Sequence, residues 1–427
     1  MKSVAFCTLG CKVNQYETEA MLELFKNAGY QEADFDDFAD VYVINTCTVT
    51  SMSDKKSRQM IRRAKRLNPD AFVVVCGCYA QTSPDAVLSI EDVDLVLGTN
   101  QHKEIVDFVE NNHKGIVVKD ISRTHDFEKL SINNHSGKSR AYVKVQEGCN
   151  QFCSYCIIPY SRGPIRSRPV KDIIDESKQL VAAGFSEIVY VGIHVASYGL
   201  DSKECDLADL IVKLNDIDGI KRIRLSSIEP MSLDKSFCEK IKDCEKLCPH
   251  FHLSLQSGCN STLSRMNRRY TTEQYREITD GLREYFPNCA ITTDIMVGFP
   301  GETDEEFLET LTFVKEISFA ESHIFKYSRR KGTPADKMPN QVSPEIKEER
   351  SKQLINLTHE SSIDFLASQL NKRTEVLFET RNGDYFEGKT DNYCTVYVKT
   401  DEDLSGKYRY VIPKEIKDSI LYAYITD

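Results

Sequence analysis

Cys149, Cys153 and Cys156 stand in C-x3-C-x2-C spacing within EGCNQFCSYCIIPYSRG, directly after the alternating apolar run AYVKVQ. Three thiols on one tight loop are soft ligands for a thiophilic metal. A closed structural zinc site normally takes four ligands in paired short spacings, whereas three clustered thiolates can hold three irons of a cubane and leave the fourth iron open. An open iron is a place for a cofactor to bind. A loop of reduced thiols, or a zinc site borrowing a distant fourth cysteine, would use the same residues.

A second set of thiols is spread along the N-terminal third. Cys11 in LGCKVNQYETE, Cys47 in NTCTVT and Cys78 in CGCYAQ each follow a β-rich run and precede polar residues able to start a helix or turn. In open α/β sheets, ligands lie in the crevice beyond the carboxyl ends of the strands, so one site could collect all three. Cys7 and Cys76 sit inside the apolar runs VAFCTL and AFVVVCG and read as small core hydrophobes.

The elements that must position these thiols fall into three regions. Residues 1–130 alternate VAFCTL, DVYVINT, AFVVVCG and VDLVLG with helical stretches such as YETEAMLELFKNAG, which predicts a parallel α/β layer. The polar stretch 131–140, SINNHSGKSR, reads as a linker. From 141 to about 330, six strand-like runs (AYVKVQEG, EIVYVG, RIRLSSIEP, HFHLSLQSG, ITTDIMVGFPG, SHIFKYS) alternate with helices, which predicts a partial (β/α)6 barrel with the cysteine loop after its first strand. Residues 341–371 read as an amphipathic linker helix with Leu354, Leu357, Phe365 and Leu366 towards one side. Period-two runs in 372–427 describe about five short strands able to close as a small β-barrel.

Composition bounds the function. The chain has 427 residues, 41% of them hydrophobic, and carries a net charge of -10, which argues against gripping a polyanion by bulk electrostatics. Any nucleic-acid contact must be local. KKSRQMIRRAKR, residues 55–66, supplies seven basic residues on a predicted helix, although a charge run is usually a solvated face. Fifteen cysteines without a secretory h-region favour metal or redox use in a reducing compartment, and the expected location is the cytoplasm. No apolar run is long enough for a membrane span.

Within the middle region, Gly192, Gly258 and Gly298 would allow close backbone approach at strand ends, and Glu229, Gln256 and Asp294 could hydrogen-bond a polar cofactor or substrate. Each has a plain alternative as a turn glycine or a loop-satisfied polar group. Arg268 and Arg269 read either as anion contacts or as an exposed loop pair.

The C-x3-C-x2-C loop, with aromatic Tyr155 before its last cysteine, resembles that of the radical S-adenosylmethionine enzymes. LGCKVNQYE, NTCTVT and GCYAQ, with GIHVASYG, SSIEP, LSLQSGCNSTLSRMNRRYT, TDIMVGFPGET and YSRRKGTPA, are similar to the signatures of the methylthiotransferases within that superfamily. The resemblance implies a flavodoxin-like N-terminal domain, a radical S-adenosylmethionine barrel over 131–340, and a C-terminal TRAM-like barrel. It implies two 4Fe-4S clusters, one on Cys149, Cys153 and Cys156 that binds S-adenosylmethionine and one on Cys11, Cys47 and Cys78. Tyr155, Gly192 and Glu229 become candidate cofactor contacts. LGCKVNQYETE resembles the type that methylthiolates N6-threonylcarbamoyladenosine at carbon 2 beside the tRNA anticodon, with isopentenyladenosine tRNA or a ribosomal-protein aspartate as other acceptors in the family. The implied partners are the tRNA anticodon loop and an electron donor such as flavodoxin or ferredoxin. A non-catalytic zinc and RNA-binding protein is the reading from another class. Region 372–427 holds nine Lys/Arg against eleven Asp/Glu, so an RNA role there would lean on stacking by Tyr385, Phe386, Tyr393 and Tyr397, which could instead fill the barrel core.

Overall fold

Six strands align in parallel in the N-terminal region: β1 (Ser3–Thr8), β2 (Gln31–Ala33), β3 (Val41–Thr46), β4 (Phe72–Gly77), β5 (Leu95–Leu97) and β6 (Gly115–Val117). The computed structural model describes residues 2–49, 51–132 and 139–426. The strand order β2-β1-β3-β4-β5-β6 is the flavodoxin-like doubly wound order with one edge strand added. β3 is buried throughout and β4 nearly so, which is why both read as unbroken apolar runs. β2 and β6 are three-residue edge strands, too short and too exposed to stand out as apolar runs. Helix Lys12–Asn27 packs Met21 and Phe25 on one face of the sheet, and helix Ser51–Leu67 packs Ile61 and Ala64 on the other.

The middle region contains β7 (Ala141–Glu147), β8 (Arg166–Ser167), β9 (Glu187–Gly192), β10 (Arg222–Leu225), β11 (His250–His252), β12 (Ala290–Val297) and β13 (Glu321–Lys326). β10-β9-β7 and β11-β12-β13 are parallel sets joined by single parallel bridges Ile223 to Leu247 and Ile228 to Leu253. Six parallel strands therefore curve in chain order as an open (β/α)6 barrel, with β8 a two-residue antiparallel addition beside β7. One continuous hydrophobic cluster fills the layer between strands and helices.

Two expected linkers do more than connect. Ile132 is fully buried against Val13, Tyr16 and Val189, and its N–H donates to Glu176 Oε1 at 2.7 Å, so the stretch from 131 starts as packed chain. Residues 133–138 of that stretch lie outside the described residues. Helix Pro344–Ala367 packs on β13 and on helix Asp304–Ile317. Its Leu354 belongs to the barrel core, its Leu366 to the core of the last domain, and its buried Arg350 pairs with Glu302 at 2.6 Å. Apolar residues at both ends give it two cores to join.

Strands β14 (Thr374–Asn382), β15 (Tyr385–Thr390), β16 (Thr395–Lys399), β17 (Tyr408–Lys417) and β18 (Ile420–Thr426) close as a barrel in the order β14-β15-β16-β18-β17. It docks at the amino-terminal ends of the parallel strands. Arg140, before β7, makes a two-pronged bond with Glu379 (2.9 and 2.9 Å), and Arg224 donates to the carbonyls of Asp391 and Thr390. Among the described residues, no helix is long and apolar enough to cross a membrane.

Candidate functional site

Gly148 and Gly163 pin the C-x3-C-x2-C loop to the end of β7. Gly148 has φ +74°, and a Cβ there would lie 1.9 Å from the Pro164 carbonyl oxygen, so only glycine fits. Cys149 N–H donates to the Gly163 carbonyl at 3.0 Å, and Gln146 Nε2 donates to the carbonyls of Glu147 and Gly148 at 2.7 Å each. Ser154 N–H and Oγ bond to the carbonyls of Met266 and Arg265. Tyr155 meets Phe299 edge-on and backs the loop with Met266. Burial pushes the Cys149 thiol up to about 11 and the Cys156 thiol up to about 12, so metal binding must expel protons that dry surroundings hold.

The other three thiols sit at the carboxyl ends of β1, β3 and β4, which are neighbours in the sheet. Cys11 precedes helix Lys12–Asn27, Cys47 follows β3, and Cys78 opens helix Cys78–Thr82. Gly10, at φ +111°, lets the first turn approach Cys47: a Cβ there would lie 2.9 Å from Cys47 Cβ. Burial pushes the Cys78 thiol up to about 12, against the pull of Arg162 and with the nearby Cys11 and Cys47 adding to the rise. Asn14 holds the strand ends together, its Nδ2 donating to the carbonyls of Leu9 and Thr46 at 2.8 and 3.0 Å.

Arg162 joins the two trios. It ends the helix Ile158–Arg162 that follows the Cys149 loop, and its Nε donates to Cys78 Sγ at 3.2 Å across the domain boundary. Its other nitrogens reach Glu17 (2.5 and 3.1 Å), Asn14 (2.8 Å) and Glu147 (3.3 Å), while Lys144 bonds the same two carboxylates at 3.0 and 2.9 Å. Two cations and two anions thus balance in a fully buried network. On the other flank, Arg330 pairs with Asp54 at 2.6 Å and bonds Thr48, the residue after Cys47. The sequence reading did not single out Arg162 or Arg330. A charged residue gives no sign in sequence that it will be buried, and their partners lie 84 and 276 residues away.

Beside the C-x3-C-x2-C loop, Arg268 and Arg269 separate. Arg269 is exposed, whereas buried Arg268 donates to Cys153 Sγ at 3.4 Å, Glu229 Oε2 at 2.7 Å and the Ser254 carbonyl at 3.1 Å. Burial lifts the Glu229 carboxyl above its ordinary range despite Arg268. A cavity of about 320 Å³ next to the loop is lined by Asn150, Gln151, His194 and Arg269, among others. Burial, with the Arg268 cation, pushes the His194 imidazole down to about 4, and both its nitrogens are buried without a hydrogen-bond partner. A neutral ring with two unspent polar atoms suits a polar ligand in that cavity.

Gly192 lies at the end of β9, packed against the residue that braces the cysteine loop. A Cβ there would meet Gln146 Oε1 and Val195 Cγ2 at 2.9 Å each, so its missing side chain makes room for the Gln146 that braces the cysteine loop. Gly258 is likewise pressed on Thr310 and Phe313, and Gly298, at φ +70°, on Lys347. Gln256 uses its backbone to bond β12, and Asp294 faces His252 and His323. On the basic helix, Arg63 and Lys65 pair with Asp36 and Asp94, while Lys55, Lys56, Arg62 and Arg66 are exposed.

The donor sets fit clusters better than single ions. Two tetrahedral bonds of about 2.3 Å hold sulfurs about 3.8 Å apart around one zinc. Among the described residues, the three sulfurs of neither trio all fall within 4.8 Å of one another. Each trio also has an arginine donating to a sulfur, which offsets the negative charge of a thiolate-bound cluster.

An open (β/α)6 barrel thus carries C-x3-C-x2-C after its first strand and faces a doubly wound domain with a second thiol trio, the arrangement of a cluster-binding enzyme. Residues 143–314 match the Radical SAM superfamily, and residues 3–98 match the family described as uncharacterized protein family UPF0004. Threonylcarbamoyladenosine tRNA methylthiotransferase MtaB of Bacillus subtilis (strain 168) is 45% identical over 95% of this chain and 92% of its own. A tRNA-2-methylthio-N(6)-dimethylallyladenosine synthase of Thermoanaerobacter pseudethanolicus is 38% identical over 96% of this chain and 90% of its own. The radical S-adenosylmethionine methyltransferase TsrM of Kitasatospora setae shares the fold, with a TM-score of 0.59 at 15% identity over 84% of this chain and 89% of that one. The chain belongs to the radical S-adenosylmethionine methylthiotransferase family. It is a methylthiotransferase whose cofactors are S-adenosylmethionine and two 4Fe-4S clusters.

Proposed function

We propose that this chain adds a methylthio group to carbon 2 of N6-threonylcarbamoyladenosine beside the tRNA anticodon. The observation that carries the reading is the pair of thiol trios bridged by the Arg162 to Cys78 bond, because sulfur insertion needs a radical source and a sulfur source within reach of one substrate carbon. The relative at 45% identity is named for this acceptor nucleoside. Cys149, Cys153 and Cys156 hold the cluster that binds S-adenosylmethionine, and Cys11, Cys47 and Cys78 hold the second. When bound, these groups supply a carbon radical able to take hydrogen from an unactivated ring position, a sulfur to capture the substrate radical, and a methyl group.

The chain's own residues orient and exclude water. Arg268 links Cys153 to Glu229, and neutral His194 offers a polar contact in the cavity next to the loop, which Arg269 also lines. Gly192 and Gln146 hold the loop's entry, and Tyr155 its underside. Arg162 keeps the two domains in register with its charge beside Cys78.

The acceptor is tRNA, the reductant is a protein such as flavodoxin or ferredoxin, and the reaction takes place in the cytoplasm. Tyr385, Tyr397 and Tyr422 form an outward cluster on the small barrel with ring centroids 5.3–6.0 Å apart, a surface suited to stacking unpaired bases. Phe386, by contrast, fills the barrel core, and Tyr393 is stacked on His250 under the larger barrel. The test is anaerobic reconstitution of both clusters, then reductant, S-adenosylmethionine and tRNA bearing either the threonylcarbamoyl or the dimethylallyl modification, with nucleosides read by mass spectrometry. A methylthio product on the first tRNA alone is expected; product on the second alone overturns the acceptor assignment.

A further inference from the structure

Three adjacent strands of the larger barrel bring together a set of ligands that the two thiol trios do not use. His252 on β11, Asp294 on β12 and His323 on β13 hold their nitrogen and oxygen atoms within 4.8 Å of one another. Register explains the meeting. Asp294 pairs directly with His323, and His252 with Thr292, so strand alternation turns all four to one face. Phe251, Leu253, Ile291 and Ile295 take the other face and pack in the core beneath the helices. The set therefore looks into the barrel lumen.

The Asp294 carboxylate lies between two imidazoles, with Oδ2 3.2 Å from His252 Nε2 and Oδ1 3.2 Å from His323 Nδ1. The arrangement around His252 is the informative part. Its Nδ1 is 3.0 Å from Thr292 Oγ1, which is also 3.3 Å from His250 Nε2. Thr292 Oγ1 can accept from His252 Nδ1–H while donating to His250 Nε2, or relay its proton the other way; in the second arrangement the proton on His252 Nε2 that faces Asp294 is one a cation would replace. In the first arrangement His252 Nε2 turns a lone pair towards the Asp294 carboxylate, with no geometrically aligned hydrogen bond between them. A lone pair and a carboxylate oxygen repel at that separation unless a cation lies between them. An imidazole whose far nitrogen is fixed by a hydrogen bond is also the usual form of a metal-ligating histidine.

We propose that His252, Asp294 and His323 bind one first-row divalent cation, at a site separate from the six cluster thiols. Two imidazoles and one carboxylate suit Zn²⁺ or Fe²⁺ better than Mg²⁺ or Ca²⁺, the cation displacing the proton that Asp294 and Glu321 favour on His323, and three protein ligands leave open positions towards the lumen. The place is close to the chemistry without touching it. Ser254, two residues along the chain from His252 and so about 7 Å away at strand rise, accepts the bond from the same Arg268 that reaches Cys153.

Zinc itself is the probe. Protein loaded with both clusters, so that the six thiols are occupied, is dialysed anaerobically against buffered zinc, and zinc and iron are counted by plasma mass spectrometry. His323→Ala is the reference variant, because His323 is half exposed and its loss leaves the core intact; His323→Gln serves beside it, and melting temperature and iron content show that each is folded. The wild type is expected to hold about one zinc per chain beyond either variant at equal iron. Thr292→Val, which removes the bonds to His252 and His250 but no proposed ligand, is expected to weaken zinc binding by about tenfold or more. Equal zinc in wild type and both His323 variants overturns the proposal, as does zinc gained only in step with iron lost.

Discussion

Replacing Arg162 with Met tests whether the buried bridge holds the two domains in register. The change leaves Lys144 as the one cation hydrogen-bonded to Glu17 and Glu147, so one positive charge is lost from a fully buried network whose other members include His102 and Glu128. A unit pair at about 4 Å and an effective dielectric of about 20 interacts by about 4 kcal/mol, and breaking one partner of a buried pair costs about 3–5 kcal/mol. For a chain this long about 1 °C is lost per kcal/mol, so the melting temperature should fall by about 3–5 °C. Thermal unfolding of the cluster-free protein followed by circular dichroism measures it, with the thiols kept reduced. Arg162→Met with Glu17→Gln removes one unpaired anion and should recover part of the loss. A fall below about 1 °C for the single variant, or no recovery in the double, refutes the balance of charges as the source of the bridge's strength. Arg162→Lys separates charge from shape: it keeps a cation but not the fork that reaches Cys78, Asn14 and Glu17 together, and should recover only part of the stability.

Cys11→Ala, Cys47→Ala or Cys78→Ala should lower iron from about eight to about four per chain, leave 5'-deoxyadenosine formation in place and abolish methylthio product; loss of 5'-deoxyadenosine as well would contradict the division of labour. At fully buried His102, burial opposes the charge, but Glu128, 2.8 Å from Nδ1, and Glu17 outweigh it and push the imidazole up to about 10. Its folded value lies above the ordinary value of about 6.5, so its stabilisation is complete below that pH and is lost as pH rises towards 10. The stability difference between wild type and His102→Asn should therefore shrink between pH 7 and 10; a constant difference would show a neutral ring. Tyr397→Ala on the small barrel should weaken tRNA binding about tenfold, since one stacked base contributes about 1–3 kcal/mol, with unchanged 5'-deoxyadenosine formation; unaltered binding in a filter or anisotropy assay would move the RNA surface elsewhere.

Much of the architecture was legible in the sequence because its signals are local. β3, β4 and the barrel strands announce themselves as apolar runs, and the C-terminal strands as period-two alternation. Edge strands β2 and β6 lack such runs. Leu354 and Leu366 were readable as the apolar side of a helix, but not that they enter two different cores. Arg268 and Arg269 show the same limit at the site. Neighbours of one residue type, they differ because only Arg268 faces Cys153 and Glu229.

The chemistry was written in residue type and spacing. Cys149, Cys153 and Cys156 lie within eight residues, so a single loop can gather them and no long-range fold is needed to see what they could ligate. Cys11, Cys47 and Cys78 span 68 residues, and only the strand order β1-β3-β4 makes their strand ends neighbours. The ion network of Arg162, the Thr292 relay behind His252 and the docking of the small barrel at the far end of the larger one belong wholly to tertiary structure. Charged and polar side chains acquire their partners from whichever strand ends the fold brings together, and burial then makes those partners obligatory.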